Sequence, residues 1–299
     1  MLPIKTVIFF LFSLLTCICL LLANQGCIES IGMRKQDPSS NHFRVDDIIA
    51  GADGMPVSFD QLISDLSRTR IIYIGENHTH PSHHQIQLKI IKHLLEIDSG
   101  LRIGIEMVDR TYQPILDLWS SDRLNENQLL EKVHWYANWK YPFDLYRSLF
   151  LLVKKNRLVL LGLNIPFHIP PKIATGGVDT LSSDEKKYLP KDIDFGNSAH
   201  LAYIRGVFEH HLVPGFENFE NFYAAQCVWD ETMAETISEN LSDSLMVVLA
   251  GKGHIIYKFG IPDRAYRRTH APFRTILLEE TGESVELASA DYIWFTTER

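Results

Sequence analysis

The sequence predicts an α/β fold with a mostly parallel central sheet flanked by helices and carrying an inserted α-helical cap. Three observations lead there. Short aliphatic, β-branched runs recur at 70–74 (RIIYI), 101–108 (LRIGIEMV), 157–163 (RLVLLGL) and 245–250 (LMVVLA), as strands buried on both faces require. Stretches with apolar residues at helical spacing separate them. The first two runs enclose one helix in a single βαβ span, which makes them parallel.

The elements follow in chain order. Lys5 precedes residues 6–23 (TVIFFLFSLLTCICLLLA), a run without formal charge that reads as an export signal. The run is nearly long enough to span a bilayer, so an uncleaved anchor is the alternative. Cys27 follows Gly26 and is the candidate lipid-acylated residue, although Asn24 and Gln25 stand where lipoprotein sites carry less polar residues. Residues 1–26 are therefore taken as leader and 27–44 as a polar tether. The domain is expected over 45–299.

Its first strand, 70–74, leads to Pro81, which opens a helix where a missing N–H costs nothing. Ile86, Ile90, Leu94 and Ile97 line one face of that helix, and Gly100 is expected to end it. Strands at 101–108, 157–163 and 245–250 follow, and 273–278 and 292–296 complete the sheet. The intervals 111–156 and 166–244 exceed what a simple crossover needs and are aromatic-rich. They are predicted to form helical cap insertions over the sheet's edge. Residues 224–241 (AAQCVWDETMAETISENL) form its clearest helix, with Asp230 and Glu231 read as a structural hydrogen-bonding patch.

A net charge of -8 leaves no basic footprint, so nucleic acid is excluded as a partner. Two of the four cysteines lie in the leader, and acylation of Cys27 would leave only Cys227, which would then exclude a disulfide framework and a cysteine zinc site in the domain.

Polar residues stand at equivalent places after several strands. Glu76 and His78 follow the first, Glu106 closes the second, Asn164 follows the third, and His254 follows the fourth in a Gly-Lys-Gly-His turn. In a parallel sheet, sites form beyond the carboxyl ends of the strands. Carboxylates beside imidazoles set tautomer and basicity, and Glu76, His78, Glu106 and His254 are the candidate catalytic set. The same four could hold a divalent metal. His80, His83 and His84, in the dense run after His78, are expected to be supporting or surface residues.

These residues resemble a family. The segments Ile74-Gly-Glu-Asn-His78, Gly104-Ile-Glu-Met107, Asn164-Ile-Pro166, Gln226 to Ala234, Gly251-Lys-Gly-His254 and Gly260-Ile-Pro262 look like the ChaN-like haem-binding lipoproteins. The likeness runs from about residue 71 to 278. It implies an exported, often lipid-anchored protein of bacterial haem or iron uptake, periplasmic or outer-membrane-associated. It also implies haem as the ligand, a tyrosine on the iron, and haem shared in a homodimer. Tyr136, Tyr146 and Tyr223 are the haem-ligand candidates, with Tyr141, Tyr203, His200, His210 and His211 also in the cap. The wider superfamily includes Tiki-type metalloproteases and erythromycin esterases, whose likeness implies an alternative: a hydrolase using Glu76, His78, Glu106 and His254.

Overall fold

The computed structural model describes residues 43–210, 216–283 and 285–297. The expected leader, the acylation site Cys27, most of the tether and His211 lie outside them.

Seven strands form one sheet: β1 (Ile48–Ala50), β2 (Ile71–Glu76), β3 (Arg102–Asp109), β4 (Val159–Asn164), β5 (Met246–Gly251), β6 (Phe273–Glu280) and β7 (Tyr292–Thr296). Their order is β1-β7-β6-β2-β5-β3-β4. Every pairing is parallel except β1 on β7. The expected α/β class is thus the observed one. β2 and β3 are parallel, but they are not neighbours, because β5 lies between them and pairs with both. The short antiparallel edge strand β1 was not expected.

The helices are α1 (Phe59–Leu66), α2 (Pro81–Ile97), α3 (Gln113–Ser120), α4 (Glu126–Lys132), α5 (Trp135–Asn138), α6 (Arg147–Asn156), α7 (Ile169–Gly176), α8 (Ser198–His210), α9 (Phe219–Glu239) and α10 (Ile261–Thr269). Pro81 does open α2, but Asp98 rather than Gly100 stops it. Asp98 is extended, accepts the Gly100 amide, and also accepts the amide of Leu245 at the entry to β5. α9 starts earlier than expected because the Asn218 side chain caps its first turn.

Alternate strand residues feed two cores. Ile72, Ile74, Ile103, Ile105, Val247 and Leu249 pack with α2 and with Leu116, Trp119, Leu129, Trp135, Phe143 and Phe150. Ile71, Tyr73, Leu161, Leu163, Met246 and Val248 pack with α7, α9 and α10. Residues 111–156 pack mainly into the first of these cores and residues 166–244 into the second. They lie on opposite faces, because a parallel sheet whose strands are apolar on both sides needs both sides covered.

The packing explains why α9 is buried from Phe219 to Ile237 around most of its circumference. It carries three buried carboxylates, and each has a cationic or imidazole partner. Asp230 meets His254, Glu231 meets Arg264, Arg267 and Arg268, and Glu235 meets Arg110. An unpaired charge at any of these positions would cost several kcal/mol.

A buried two-dyad polar site

The carboxyl ends of β2, β3 and β5 position the predicted side chains. Glu76 is the last residue of β2 and sits in register with Gly251, the last of β5. In β3 the pairing with β4 slips between Ile105 and Asp109, so the strand bulges around Glu106. A bulge re-aims side chains and bends the strand. Here its backbone presses on Gly162, where a Cβ would come within 2.8 Å of the Asp109 carbonyl oxygen. The bulge turns Glu106 toward β5, and its Oε2 accepts the Gly251 amide at 2.7 Å. Asn164 supports the bulge by donating to the Glu106 carbonyl.

Two carboxylate–histidine pairs flank Glu106. The His78 Nδ1 lies 2.8 Å from Glu76 Oε1, and the His254 Nδ1 lies 2.6 Å from Asp230 Oδ1. In each pair the carboxylate fixes the Nδ1 proton, which turns Nε2 away from it. The His254 Nε2 reaches to 3.5 Å from Glu106 Oε1. The His78 ring closes over Gly251, where a Cβ would stand 3.0 Å from its Nε2 and 3.5 Å from Glu106 Oε2. Glu76, His78, Glu106 and His254 are therefore brought together as the strand-end pattern predicts. All are between 0% and 4% exposed.

The walls are aromatic. Trp139 meets His78 edge-on at 4.7 Å, Tyr141 tilts against it at 5.2 Å, and Trp229 meets His254 at 5.0 Å. Glu76 is bound further by Tyr146, whose hydroxyl donates to Oε1 at 2.9 Å, and by the Gln87 amide at 2.6 Å. Burial alone would raise the Glu76 carboxyl, but the imidazoles of His84 and His78 and the Gln87 amide hold it at about 2. Burial opposes ionisation of Glu106 and Asp230 as well, yet His254 beside both keeps them below the usual carboxylate range. The site is a closed set of ionised acids and tethered rings.

The divalent metal finds no support. Among the described residues no group of three or more His, Cys, Asp or Glu side chains is arranged to hold one. The geometry gives a reason: these donors are engaged with one another in pairs.

The three candidate tyrosines fall in different environments. Tyr146 is buried at the back of Glu76. Tyr223 is buried, and its hydroxyl donates to the Asn197 carbonyl at 3.3 Å. Tyr136 stands 59% exposed on α5. Of the other aromatic candidates, Tyr141 and His200 are buried and His210 is exposed.

A family model described as haem-binding uptake, Tiki superfamily, ChaN, matches residues 62–265. The chain belongs to the ChaN family. Its fold resembles the structure of ChaN of Campylobacter jejuni with cofacial haem, with a TM-score of 0.66 and 20% identity over 83% of this chain and 95% of that one. The type III effector HopBA1 gives a TM-score of 0.46 at 15% identity, covering 80% of this chain and 93% of that one. A mutant of the erythromycin esterase EreC, in its open conformation, gives 0.45 at 15% identity, covering 77% and 75%. Those two likenesses are too distant to bear on function. No curated protein matches the chain by sequence.

Within this ChaN-family chain, sequence reasoning missed Asp230, Gln226, Gln87 and the bond from Tyr146 to Glu76. Asp230 was read as structural, yet it grips His254 directly. The signal was present: Gln226 and Asp230 are four residues apart on one helix, and the Gln226 amide donates to Asp230 while lying 3.1 Å from His254 Nδ1. Of the expected supporting histidines, His84 donates to the His78 carbonyl, and His83 accepts the Asn77 amide. Burial pushes His83 down to about 2, so it is a neutral strut.

Proposed function

We propose that the protein is an exported haem-binding protein of haem or iron uptake, periplasmic or outer-membrane-associated, that binds haem at its surface through Tyr136. Membership of a family described by haem-binding uptake supports the ligand. The observation that selects the residue is exposure. Iron needs a ligand atom free to reach it. Tyr136 presents its phenol outward, while the hydroxyls of Tyr146 and Tyr223 are spent inside the fold. Beneath Tyr136, the neighbouring Trp135 packs on Phe143, Tyr146 and Phe150 at 5.1–5.7 Å, which anchors α5 firmly.

A haem on an exposed tyrosine leaves one face uncovered. A second copy of the chain would cover it, and the cofacial haem of the Campylobacter protein is in keeping with such a homodimer. The residues 6–23 run supports export, and acylation of Cys27 would tether the domain to a membrane. The hydrolase alternative is less well supported, because a substrate would have to reach side chains sealed at 0–4% exposure.

Haemin titration tests the reading. The wild-type protein should give a shifted Soret band that saturates at a defined ratio. Tyr136→Phe should weaken binding by about tenfold or more, while Tyr146→Phe and Tyr223→Phe keep it. Unsaturable binding, or wild-type affinity in Tyr136→Phe, overturns the assignment.

A further inference from the structure

Tyr146 carries a chemistry that its packing does not need. Its ring lies among aromatic neighbours, with Trp135 at 5.6 Å and Trp139 at 6.4 Å. A phenylalanine would fill that space as well. The hydroxyl is instead aimed at Glu76 Oε1, 2.9 Å away, and both residues are only 1% exposed. Against the burial, His84, His78 and Gln87 keep Glu76 ionised. A buried phenol therefore donates to a base that is already unprotonated.

That pairing acquires a consequence when an electron leaves the ring. A neutral phenol is a weak acid, but its one-electron-oxidised form is a very strong one and yields its proton to a carboxylate. Here the hydrogen bond is already made, so the proton crosses it without any side chain moving. No buried cation is left on the ring, whose desolvation would otherwise oppose the oxidation.

The neighbouring rings supply a route from the surface. Tyr136 is 59% exposed, and Trp135, next to it in the chain, touches the Tyr146 ring. The Trp135 indole N–H donates to the Tyr141 carbonyl at 2.8 Å. A carbonyl oxygen is too weak a base to take that proton. An oxidised Trp135 therefore stays a cation and draws an electron from Tyr146.

We propose that Tyr146 and Glu76 form a proton-coupled redox site, reached from the surface through Trp135. A one-electron oxidant takes an electron from Trp135, and Trp135 takes one from Tyr146. The Tyr146 O–H bond breaks, and its proton bonds to Glu76 Oε1. The products are a restored indole, a neutral phenoxyl radical and a neutral carboxylic acid, while the oxidant is reduced by one electron. Return of an electron to Tyr146 reverses the step. The natural oxidant, haem activated by hydrogen peroxide, rests on the haem reading of Tyr136, whereas the pair itself does not.

The experiment uses the full-length protein without haem. Photo-oxidised tris(bipyridine)ruthenium, with a cobalt(III) ammine as the sacrificial acceptor, withdraws the electron. Electron paramagnetic resonance reads the radical, and ring-deuterated tyrosine identifies it as a phenoxyl. Exposed phenoxyls decay by coupling to one another, so the buried one should be the long-lived signal. Tyr146→Phe and Glu76→Gln should each lose most of that signal, while Tyr223→Phe keeps it. Trp135→Phe should lower its yield. Circular dichroism checks that each variant is folded. In the wild-type protein, infrared difference spectra should show a new carboxylic acid band that rises with the radical. Three results overturn the proposal: a long-lived signal unchanged in Tyr146→Phe, a wild-type radical without the acid band, or full yield in folded Trp135→Phe. None of them bears on haem binding, which the Soret band reads independently.

Discussion

Tyr146→Phe separates a buried anchor from a haem ligand, and its cost follows from the site. The hydroxyl has one proton to give, and its oxygen lies 2.9 Å from Glu76 Oε1, with the His78 carbonyl farther off at 3.3 Å. A hydrogen bond to an ionised acceptor contributes roughly 1.5–3 kcal/mol. Its loss does not strand Glu76, which keeps His78 and Gln87. The ring keeps its packing against His84 at 4.5 Å and Trp135 at 5.6 Å, so no sizeable cavity opens. The expected loss is therefore about 2 kcal/mol at neutral pH. Equilibrium urea unfolding measures it, with an unchanged m-value showing that the unfolded state is the same. In a Glu76→Gln background the bond becomes neutral, and the same substitution should cost only about 1 kcal/mol. Equal costs in the two backgrounds would refute the charge-assisted bond. Loss of the Soret shift in a folded Tyr146→Phe protein would refute the assignment of the tyrosines.

Two further outcomes follow from the same geometry. Gly260→Ala would place a Cβ 2.3 Å from the His254 carbonyl oxygen, so backbone must move, whereas a Cβ at Gly206 within α8 meets nothing within 4 Å. The first should cost about 3 kcal/mol and lower the melting temperature by about 10 °C, while Gly206→Ala should be stabilising by roughly 0.5–1 kcal/mol. Equal melting temperatures for the two would contradict the packing around His254. Stability should also fall on acidification in two stages. Burial pushes His83 to about 2 and His200 to about 4, so both stay neutral in the fold, and their contribution is complete above the unfolded imidazole value of 6.5 and is lost as pH falls below it. Glu76, Glu106 and Asp230 are depressed carboxylates whose contribution is complete above the unfolded carboxyl range and is lost as pH drops through it toward their folded values. Urea midpoints between pH 7 and about 3 should fall first gently and then steeply, and a flat profile from pH 7 to 5 would sink the histidine part.

Much of the fold was legible because buried parallel strands announce themselves as unbroken apolar runs. The strand ends then located Glu76, His78, Glu106 and His254, since a polar residue after such a run has few places to go. What periodicity does not encode is pairing order. Nothing in residues 245–250 says that they insert between two strands made much earlier. β1 was missed because three residues give no alternation to read. Asp230 was undervalued because α9 is buried nearly all round, which hides which of its polar residues point at a partner. Tyr146 had no local signal at all: it follows a short 3-10 turn, and its partner Glu76 is distant in sequence.

The late arrival of β5 shapes how the chain can acquire its structure during synthesis. β2 and β3 are complete by Asp109, yet the strand that satisfies both their inner edges begins only at Met246. Until the ribosome has supplied it, two bare edges wait side by side in the middle of the future sheet, open to any passing strand of another chain. Closing that gap joins residues far apart in the polypeptide, so it is a slow step by topology. The same insertion carries Gly251 and His254 into place, and the two-dyad site is therefore among the last parts of the molecule to exist.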